Sequence, residues 1–147
     1  MIAVLQRVTK SYVTVDNIKI GAIEKGLTVL LGIEKNDTEA DADYLAKKII
    51  GLRIFEDENK KLNLSLEDIK GEMLVISQFT LLANCKKGKR PSFEKSALPD
   101  LAEKLYEYFI KKVKEANIHV ETGKFASNME VFIENNGPVT IILNSKD

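Results

Sequence analysis

The sequence predicts an α+β fold in a single domain spanning residues 1–147. A length of 147 residues, 44% of them hydrophobic, suits one globular unit with a sizeable core. Segments rich in Val, Ile, Leu and Thr indicate strands near both ends of the chain, and two other stretches have apolar residues at helical spacing. No repeat, low-complexity tract or flexible linker divides the chain.

The first third predicts a meander of four strands with turns at Asp16-Asn17 and Glu24-Lys25-Gly26. The strands are Ile2–Val8, Tyr12–Val15, Ile18–Ile23 and Leu27–Ile33. Arg7 lies inside the first of them, and a cation among apolar neighbours needs either a partner or a solvent-facing position. The solvent-facing position is the default expectation.

The middle of the chain predicts a helix and two further strands. Asn36-Asp37-Thr38 offers side-chain oxygens that can cap a helix. The apolar residues that follow at helical spacing predict a surface helix packed by one face: Ala42, Leu45, Ala46, Ile49 and Ile50. Leu52–Phe55 then predicts a strand and Glu56–Lys61 a charged turn. Met73–Ile76, four large apolar residues in succession, predicts a strand buried on both faces.

The C-terminal part predicts a second helix and three closing strands. Apolar spacing from Leu98 to Glu115 indicates an amphipathic helix that is begun by Ser96 and Pro99. The closing strands are Ile118–Thr122, Met129–Glu134 and Val139–Leu143. Because His119 alternates with apolar residues, we expect it to face away from the buried side.

Composition disfavours several classes of function. The 22 basic and 22 acidic side chains cancel, so no global cationic field attracts nucleic acid, and we expect no DNA partner. Cys85 and His119 are the only cysteine and histidine, and there is no G-x-G-x-x-G or P-loop motif, so we expect no metal and no cofactor. No apolar run approaches the length of a membrane span, and we expect a soluble, cytoplasmic protein.

Polar residues appear abruptly at the end of the predicted buried strand. Ser77, Gln78 and Thr80 stand there with the flat apolar ring of Phe79 among them, and a rigid strand end could hold them as the floor of a site. The alternative is that Ser77 and Thr80 only satisfy backbone groups. A serine triad is disfavoured, because His119 lies on another predicted strand and on its exposed face.

Two further stretches carry possible function. Asn135–Thr140 separates two predicted strands and contains the bond Gly137-Pro138, of a kind that populates cis far more readily than non-proline bonds; an ordinary hairpin turn is the alternative. Four cations follow the candidate site floor closely: Lys86, Lys87, Lys89 and Arg90. They suit either the phosphates of an RNA terminus or a solvated loop, and their position after Ser77–Thr80 favours RNA.

The stretches Ser77-Gln78-Phe79-Thr80-Leu81 and Asn135-Asn136-Gly137-Pro138-Val139-Thr140 together resemble the signature pair of the D-aminoacyl-tRNA deacylases, the D-Tyr-tRNA deacylase family. Other segments resemble the family in the family's order, so the resemblance covers essentially the whole chain: Gln6–Val8, Glu39–Leu45, Leu52–Asp57, Asn63–Ser65, Lys87–Phe93 and Glu121–Gly123. It implies a mixed or antiparallel β-sheet curled into a barrel-like core with two main flanking helices.

The resemblance also implies an activity in the quality control of translation. Family members hydrolyse the ester of D-aminoacyl-tRNA, and of glycine mischarged on tRNA, to free amino acid and tRNA. They are homodimers in which a cis Gly-Pro motif from one subunit enters the site of the other. By this resemblance, the carbonyls of Gly137 and Pro138 would occupy the space that an L side chain needs, so that only glycine and D residues fit.

The same resemblance implies roles for individual residues. Ser77, Gln78 and Phe79 would shape the pocket for the terminal adenosine and the ester. Thr80 would be a nucleophile or a positioning group, and we favour positioning because no neighbouring base is evident. The remaining implied roles are bracing of the Gly-Pro motif by Arg7, lining of the adenosine pocket by Met129 and Phe125, and tRNA binding by the basic residues 86–90.

Two other functions remain open from the sequence. The first is a non-catalytic RNA-binding module that uses the basic residues 86–90 and Phe79. The second is a hydrolase of small esters without RNA, for which those basic residues would be dispensable and the rates insensitive to salt.

Overall fold

A computed structural model describes residues 1–147. The elements in chain order are β1 (Ile2–Val15), β2 (Ile18–Ile23), β3 (Gly26–Gly32), α1 (Glu39–Gly51), β4 (Phe55–Glu56), β5 (Leu62–Leu64), β6 (Glu72–Ser77), a 3-10 turn (Phe79–Leu82), α2 (Pro99–Glu115), β7 (His119–Thr122) and β8 (Glu130–Asn144). The α+β class expected from the sequence is confirmed.

The main sheet is mixed and is organised around β1. Strand β8 runs antiparallel along β1 from Ile2 to Thr14, while β3 pairs with the first half of β1 and β2 with the second half. Strands β3, β6 and β7 then pair in parallel. The order is therefore β2-β1-β3-β6-β7, with β8 on β1 and the small β4-β5 hairpin apart from it.

The two ends of this strand order meet and nearly close a barrel. Gly21 of β2 lies against the backbone of Thr122 in β7, where an added Cβ atom would stand only 2.5 Å from the Thr122 carbonyl oxygen. Only glycine permits so close an approach of two strands. The expected barrel-like core is thereby confirmed.

Both helices pack on one face of the sheet. Thr38 and Asp41 form a capping box at the start of α1, which satisfies two of the free backbone donors there. Buried residues of α1 and α2 join one face of β1, β3 and β6 in a large core, whereas Leu74 and Ile76 of β6 join a smaller cluster on the opposite face. Strand β6 is thus buried on both faces, as predicted.

Several predicted elements differ in the structure. The first two predicted strands are one strand, β1, because pairing with β8 continues through a register irregularity near the exposed Thr9 and Lys10. Only Phe55–Glu56 of the predicted Leu52–Phe55 region is a strand, and it forms a hairpin with the unpredicted β5. Ser96 does not begin α2, since Leu98 holds the cap position and Pro99 the first turn.

The predicted pair of C-terminal strands is also a single strand. Pairing with β1 holds β8 together from Glu130 to Asn144, so the stretch Asn135–Thr140 is not a hairpin turn. The side chain of Arg7 is only 6% exposed, so the default expectation of a solvent-facing position was wrong. Both differences arise from contacts between the two ends of the chain, which local patterns do not contain.

Candidate active site

A cavity of about 640 Å³ opens at the end of β6. Its wall is formed by the end of β6, the start of α2, the connection before β8 and the first part of β8. Its lining includes Ser77, Gln78, Phe79, Phe125, Met129 and Ser96. A volume of this size lies within the range of sites that bind small molecules.

Ser77, Gln78 and Phe79 lie where the buried strand β6 passes into the 3-10 turn. The Gln78 backbone N–H donates to the Leu31 carbonyl (2.8 Å), which fixes the strand end to β3. From Phe79 onward the chain turns, so the backbone N–H groups of Phe79 and Thr80 stand at the start of the 3-10 turn. The first donors of a helical turn lack partners in the turn itself, so they are free to bind a ligand oxygen.

Tyr106 of α2 supports this floor from behind, a contact that the sequence analysis did not identify. Its hydroxyl donates to the Val75 carbonyl in β6 (2.8 Å), two residues before Ser77. Burial, with a smaller contribution from Glu107, raises the pKa of Tyr106 far above its usual range, so the hydroxyl keeps its proton. The only signal in the sequence was its place on the apolar face of α2.

Thr80 is exposed and does not line the cavity. Its hydroxyl oxygen accepts a hydrogen bond from the Gln78 side-chain amide. A hydroxyl that accepts in this way still has its own proton to donate. No carboxylate, lysine or histidine is hydrogen-bonded to it, so the chain places no base for a threonine nucleophile.

His119 lies at the opposite end of β6 from Ser77. It pairs with Glu72, where β6 begins, so that Ser77 is about 16 Å further along at the roughly 3.3 Å rise per residue of a strand. Its side chain is exposed, as expected, and its Nε2 lies 3.5 Å from a Glu72 carboxylate oxygen. A triad of His119 with Ser77 is therefore excluded by geometry.

Phe125 and Met129 both line the cavity. The Phe125 ring also packs on Tyr106, with ring centroids 5.9 Å apart. Between Phe125 and Met129, the connection adds two polar lining residues, Ser127 and Asn128, which the sequence analysis did not single out.

The Gly-Pro stretch forms a bulge in β8. Gln6 pairs with Thr140 and Val8 with Asn135, so Arg7 alone on β1 faces the four residues 136–139 on β8. The Asn135 side chain closes the bulge from within. Its Oδ1 accepts from the Val139 backbone N–H (3.2 Å), and its Nδ2 donates to the Thr140 hydroxyl (3.0 Å).

Arg7 braces the bulge from the protein interior. Its Nε donates to the Asn136 carbonyl (3.1 Å) and its Nη1 to the Ile54 carbonyl (2.8 Å). Gly137 has φ +122°, and a Cβ atom there would lie 2.9 Å from Arg7 Nη2, so glycine is required both for the backbone and for the contact. Arg7 thus ties the bulge to the connection before β4.

The peptide bond between Gly137 and Pro138 is cis, and both residues are exposed. Neither residue lines the cavity of its own chain. The structure therefore brings together Ser77, Gln78 and Phe79 with Phe125 and Met129, and separately Arg7 with the bulge.

The basic loop, residues 86–90, is exposed and lies close to the cavity. It is closed at its base by two backbone hydrogen bonds between Asn84 and Ser92 (2.8 and 3.0 Å). The next residue, Phe93, packs edge-to-face on Phe79, with ring centroids 5.0 Å apart. The base of the loop therefore lies next to Phe79, at the rim of the cavity.

No group of three or more His, Cys, Asp or Glu side chains is arranged to hold a metal ion. Neither helix combines the length and apolar character required to cross a bilayer.

Comparison with known proteins gives consistent relatives along the whole chain. A family described as D-Tyr-tRNA(Tyr) deacylase matches residues 4–144. D-aminoacyl-tRNA deacylases from Thermosipho melanesiensis and Aquifex aeolicus are 58% and 57% identical, over 99% and 100% of this chain and 98% and 99% of theirs.

Two solved structures are similar. A c-Myc DNA Unwinding Element Binding Protein has a TM-score of 0.92 at 40% identity and covers 98% of each chain. A probable eukaryotic D-amino acid tRNA deacylase has a TM-score of 0.81 over 97% of each chain, at 18% identity that shows the shared fold alone.

Proposed function

The chain belongs to the D-Tyr-tRNA(Tyr) deacylase family, and from that premise we propose how it hydrolyses D-aminoacyl-tRNA while it rejects the L form. Its activity is hydrolysis of the ester bond between a D-amino acid and tRNA. The rejecting group is the exposed Gly137-Pro138 bulge, which enters the cavity of a second subunit. The cytoplasm, where aminoacyl-tRNA is made, is its proposed location.

One observation carries this proposal. The bulge is held in place by Arg7 and Asn135 but lies outside the cavity of its own chain. A rigid, outward-facing group with no target in its own chain is suited to act on another copy. Ile142, two residues beyond the end of the bulge stretch, is 71% exposed and pairs with the half-buried Val4, so an apolar side chain is open to solvent near the bulge, as such a homodimer would use.

The proposed chemistry needs positioning more than a strong base, because an aminoacyl ester is already activated. The terminal adenosine lies against Phe125 and Met129, and Ser77 and Gln78 orient the ester. The N–H groups that begin the 3-10 turn, at Phe79 and Thr80, stabilise the oxyanion formed when water attacks. The Thr80 hydroxyl donates to the substrate as a positioning group.

Chiral selection then follows from exclusion. If the carbonyls of Gly137 and Pro138 fill the side of the cavity where an L side chain would project, a D residue and glycine remain as substrates. Glycine mischarged on tRNA is therefore a second proposed substrate. Exclusion suits this task, since a site that faces nearly all correctly charged tRNA in the cell must reject the L form almost completely.

The tRNA itself is held by the basic loop in this proposal. Lys86, Lys87, Lys89 and Arg90 are exposed in a loop whose base lies next to the cavity, and they match the charge of the acceptor-end phosphates. Replacing all four by glutamine should flatten the decline of kcat/KM with rising salt. A hydrolase of small esters without RNA would show no such salt dependence in the unaltered protein.

The first test compares ester loss from D-Tyr-tRNA, L-Tyr-tRNA and Gly-tRNA, each with and without the protein. We expect rapid loss of the D and glycyl esters and only the spontaneous rate for the L ester. Equal loss of the D and L esters would refute exclusion. Binding of tRNA without turnover would favour the non-catalytic RNA-binding module.

A second test asks whether the site is shared between subunits. Gly137→Ala spoils the bulge but leaves the cavity intact, whereas Ser77→Trp fills the cavity but leaves the bulge intact. In a mixed dimer, a shared site predicts one fully intact site that hydrolyses the D ester and rejects the L ester. Failure of the Ser77→Trp subunit to suppress L hydrolysis by the Gly137→Ala subunit would contradict the shared site, as would an active monomer in sedimentation.

A further inference from the structure

The rim of the cavity carries two aromatic rings whose faces are not fully used. Phe79 is 58% exposed, although phenylalanine side chains are among those most often buried. It meets Phe93 at an interplanar angle of 67°. In such an edge-to-face pair one ring presents only its edge, so flat faces remain open for a third ring.

The other surface aromatic pair in the chain shows the contrast. Tyr12 and Phe132 stack in parallel, 4.8 Å apart at 9°, so each ring gives one face to the other. Lys19 covers Tyr12 at 4.2 Å and Lys10 lies 5.9 Å from the Phe132 centroid. The faces of Tyr12 and Phe132 are therefore covered by each other and by lysine side chains, whereas no cation lies over the rings of Phe79 and Phe93.

The two rings at the rim are also held by their backbones. The Ser96 N–H donates to the Phe93 carbonyl (3.0 Å), and the Ser96 hydroxyl lies within 3.5 Å of the Phe79 carbonyl, to which it donates. The Asn84–Ser92 hydrogen bonds close the basic loop immediately before Phe93. The rings therefore form an organised surface, which lowers the entropy lost when a ligand stacks on it.

A ligand for this rim must combine flat rings with negative charge, because open aromatic faces lie beside four exposed cations. We propose that Phe79 and Phe93 form a stacking platform for the nucleobase that precedes the terminal adenosine of the tRNA, with the phosphates on its 5′ side held by the basic loop. The inference rests on the proposed function, in which the cavity takes the terminal adenosine. The next base then leaves at the rim, where every base can offer a π face.

A direct test is an NMR titration of the unaltered protein with an uncharged RNA hairpin that has a single-stranded 3′ end. We expect nuclear Overhauser contacts between the penultimate base and the ring protons of Phe79 and Phe93, and none to Phe132. Bound RNA without these contacts would overturn the platform, and so would failure of the hairpin to bind. This measurement does not depend on hydrolysis.

A kinetic test removes the base instead of the ring. In the unaltered protein, kcat/KM for a D-Tyr-RNA hairpin should fall about ten-fold when the penultimate nucleotide is abasic, as expected for loss of one base–aromatic stack. In Phe93→Leu, an abasic penultimate nucleotide should lower kcat/KM by less than about two-fold, because the base and the Phe93 ring are partners in the same interaction. The matched control Phe132→Leu should keep the full ten-fold effect.

The results separate the two proposals. The platform is overturned if the abasic nucleotide does not lower kcat/KM in the unaltered protein, or lowers it equally in Phe93→Leu. In either case, hydrolysis of the D ester still supports the proposed function. If no D ester is hydrolysed, the proposed function fails, and the nuclear Overhauser contacts still decide whether the platform exists.

Discussion

The two motifs of this protein are built in different ways. Ser77–Thr80 takes its position from the backbone, because it continues a buried strand into a tight turn, and its first three residues line the cavity of their own chain. The Asn135–Thr140 bulge is held mainly by side chains, with Arg7 and Asn135 bonded to its backbone, and none of its residues lines that cavity.

Because the two motifs are built differently, we expect each to determine a different property of the enzyme. A turn that presents backbone donors stabilises a reaction wherever the substrate side chain points, so it should govern rate. A rigid bulge that occupies space should govern which enantiomer enters. Changes in the first motif should therefore lower turnover, and changes in the second should relax discrimination.

The largest effect is expected from Gly137→Ala. Alanine would need φ +122° and would place its Cβ 2.9 Å from Arg7 Nη2, so the bulge must shift. Strain of about 1–3 kcal/mol is typical of such positions, and we expect the ratio of D to L hydrolysis to fall by about 100-fold. Initial rates on both esters measure this ratio.

The matched control for that change is Gly88→Ala. Gly88 also has positive φ (+66°), but a Cβ there meets nothing within 4 Å. We expect its ratio of D to L hydrolysis to stay within about two-fold of that of the unaltered protein, since the effects of surface substitutions away from special contacts are usually small. Discrimination that survives Gly137→Ala would separate the bulge from chiral selection.

Arg7→Met should have the next largest effect. It removes both donors to the Asn136 and Ile54 carbonyls, and unpaired buried acceptors cost about 1–3 kcal/mol each. We expect Tm to fall by about 8 °C and discrimination by about 20-fold. The exposed Arg53, replaced by Met in the same way, serves as control. A lower Tm with intact discrimination would make Arg7 purely structural.

Thr80→Val tests whether the Ser77–Thr80 motif governs the rate of hydrolysis. It removes only the hydroxyl, and we expect kcat/KM on the D ester to fall about ten-fold, with the L ester still rejected. Removal of a nucleophile would instead cost roughly 10⁴-fold or more. Single-turnover rates distinguish the two, and Thr80→Ser should retain most activity. A covalent ester on Thr80 found by mass spectrometry would overturn the positioning role.

The same replacement in the other motif, Thr140→Val, should have the smallest effect. The Thr140 hydroxyl accepts from Asn135 Nδ2 (3.0 Å) and Gln6 Nε2 (3.3 Å), but it is exposed, so water can replace it. We expect discrimination to fall about two-fold, mainly through faster loss of the L ester. If Thr140→Val slowed D hydrolysis more than Thr80→Val did, the division between the motifs would be wrong.

Local sequence patterns were sufficient to predict the local structure of Ser77–Thr80. Four apolar residues followed by Ser77, Gln78 and Thr80 predicted a strand buried on both faces that ends in polar groups, and β6 has this form. The spacing of α1 and its cap at Thr38 were equally readable, because these features depend on residues within one or two turns.

The bulge could not be predicted in the same way. Its register is set by Gln6 and Val8 on β1, about 130 positions away in the chain, so a local reading of Asn135–Thr140 gives a turn. The burial of Arg7 depends likewise on two carbonyls, at Ile54 and Asn136, that no local pattern connects. Propensity describes neighbours in sequence, whereas these contacts join distant segments.

The approach of Gly21 to Thr122 has a consequence for motion. Strands β2 and β7 touch there without pairing, so the barrel can part along this line without breaking a hydrogen-bonded ladder. Strand β7 leads straight into the connection that carries Phe125 and Met129, so parting at this line would widen the cavity from its apolar wall. Amide hydrogen exchange should then be faster in β2 and β7, where they touch, than in the other strands. Opening of the barrel at this contact would set the rate at which the products leave.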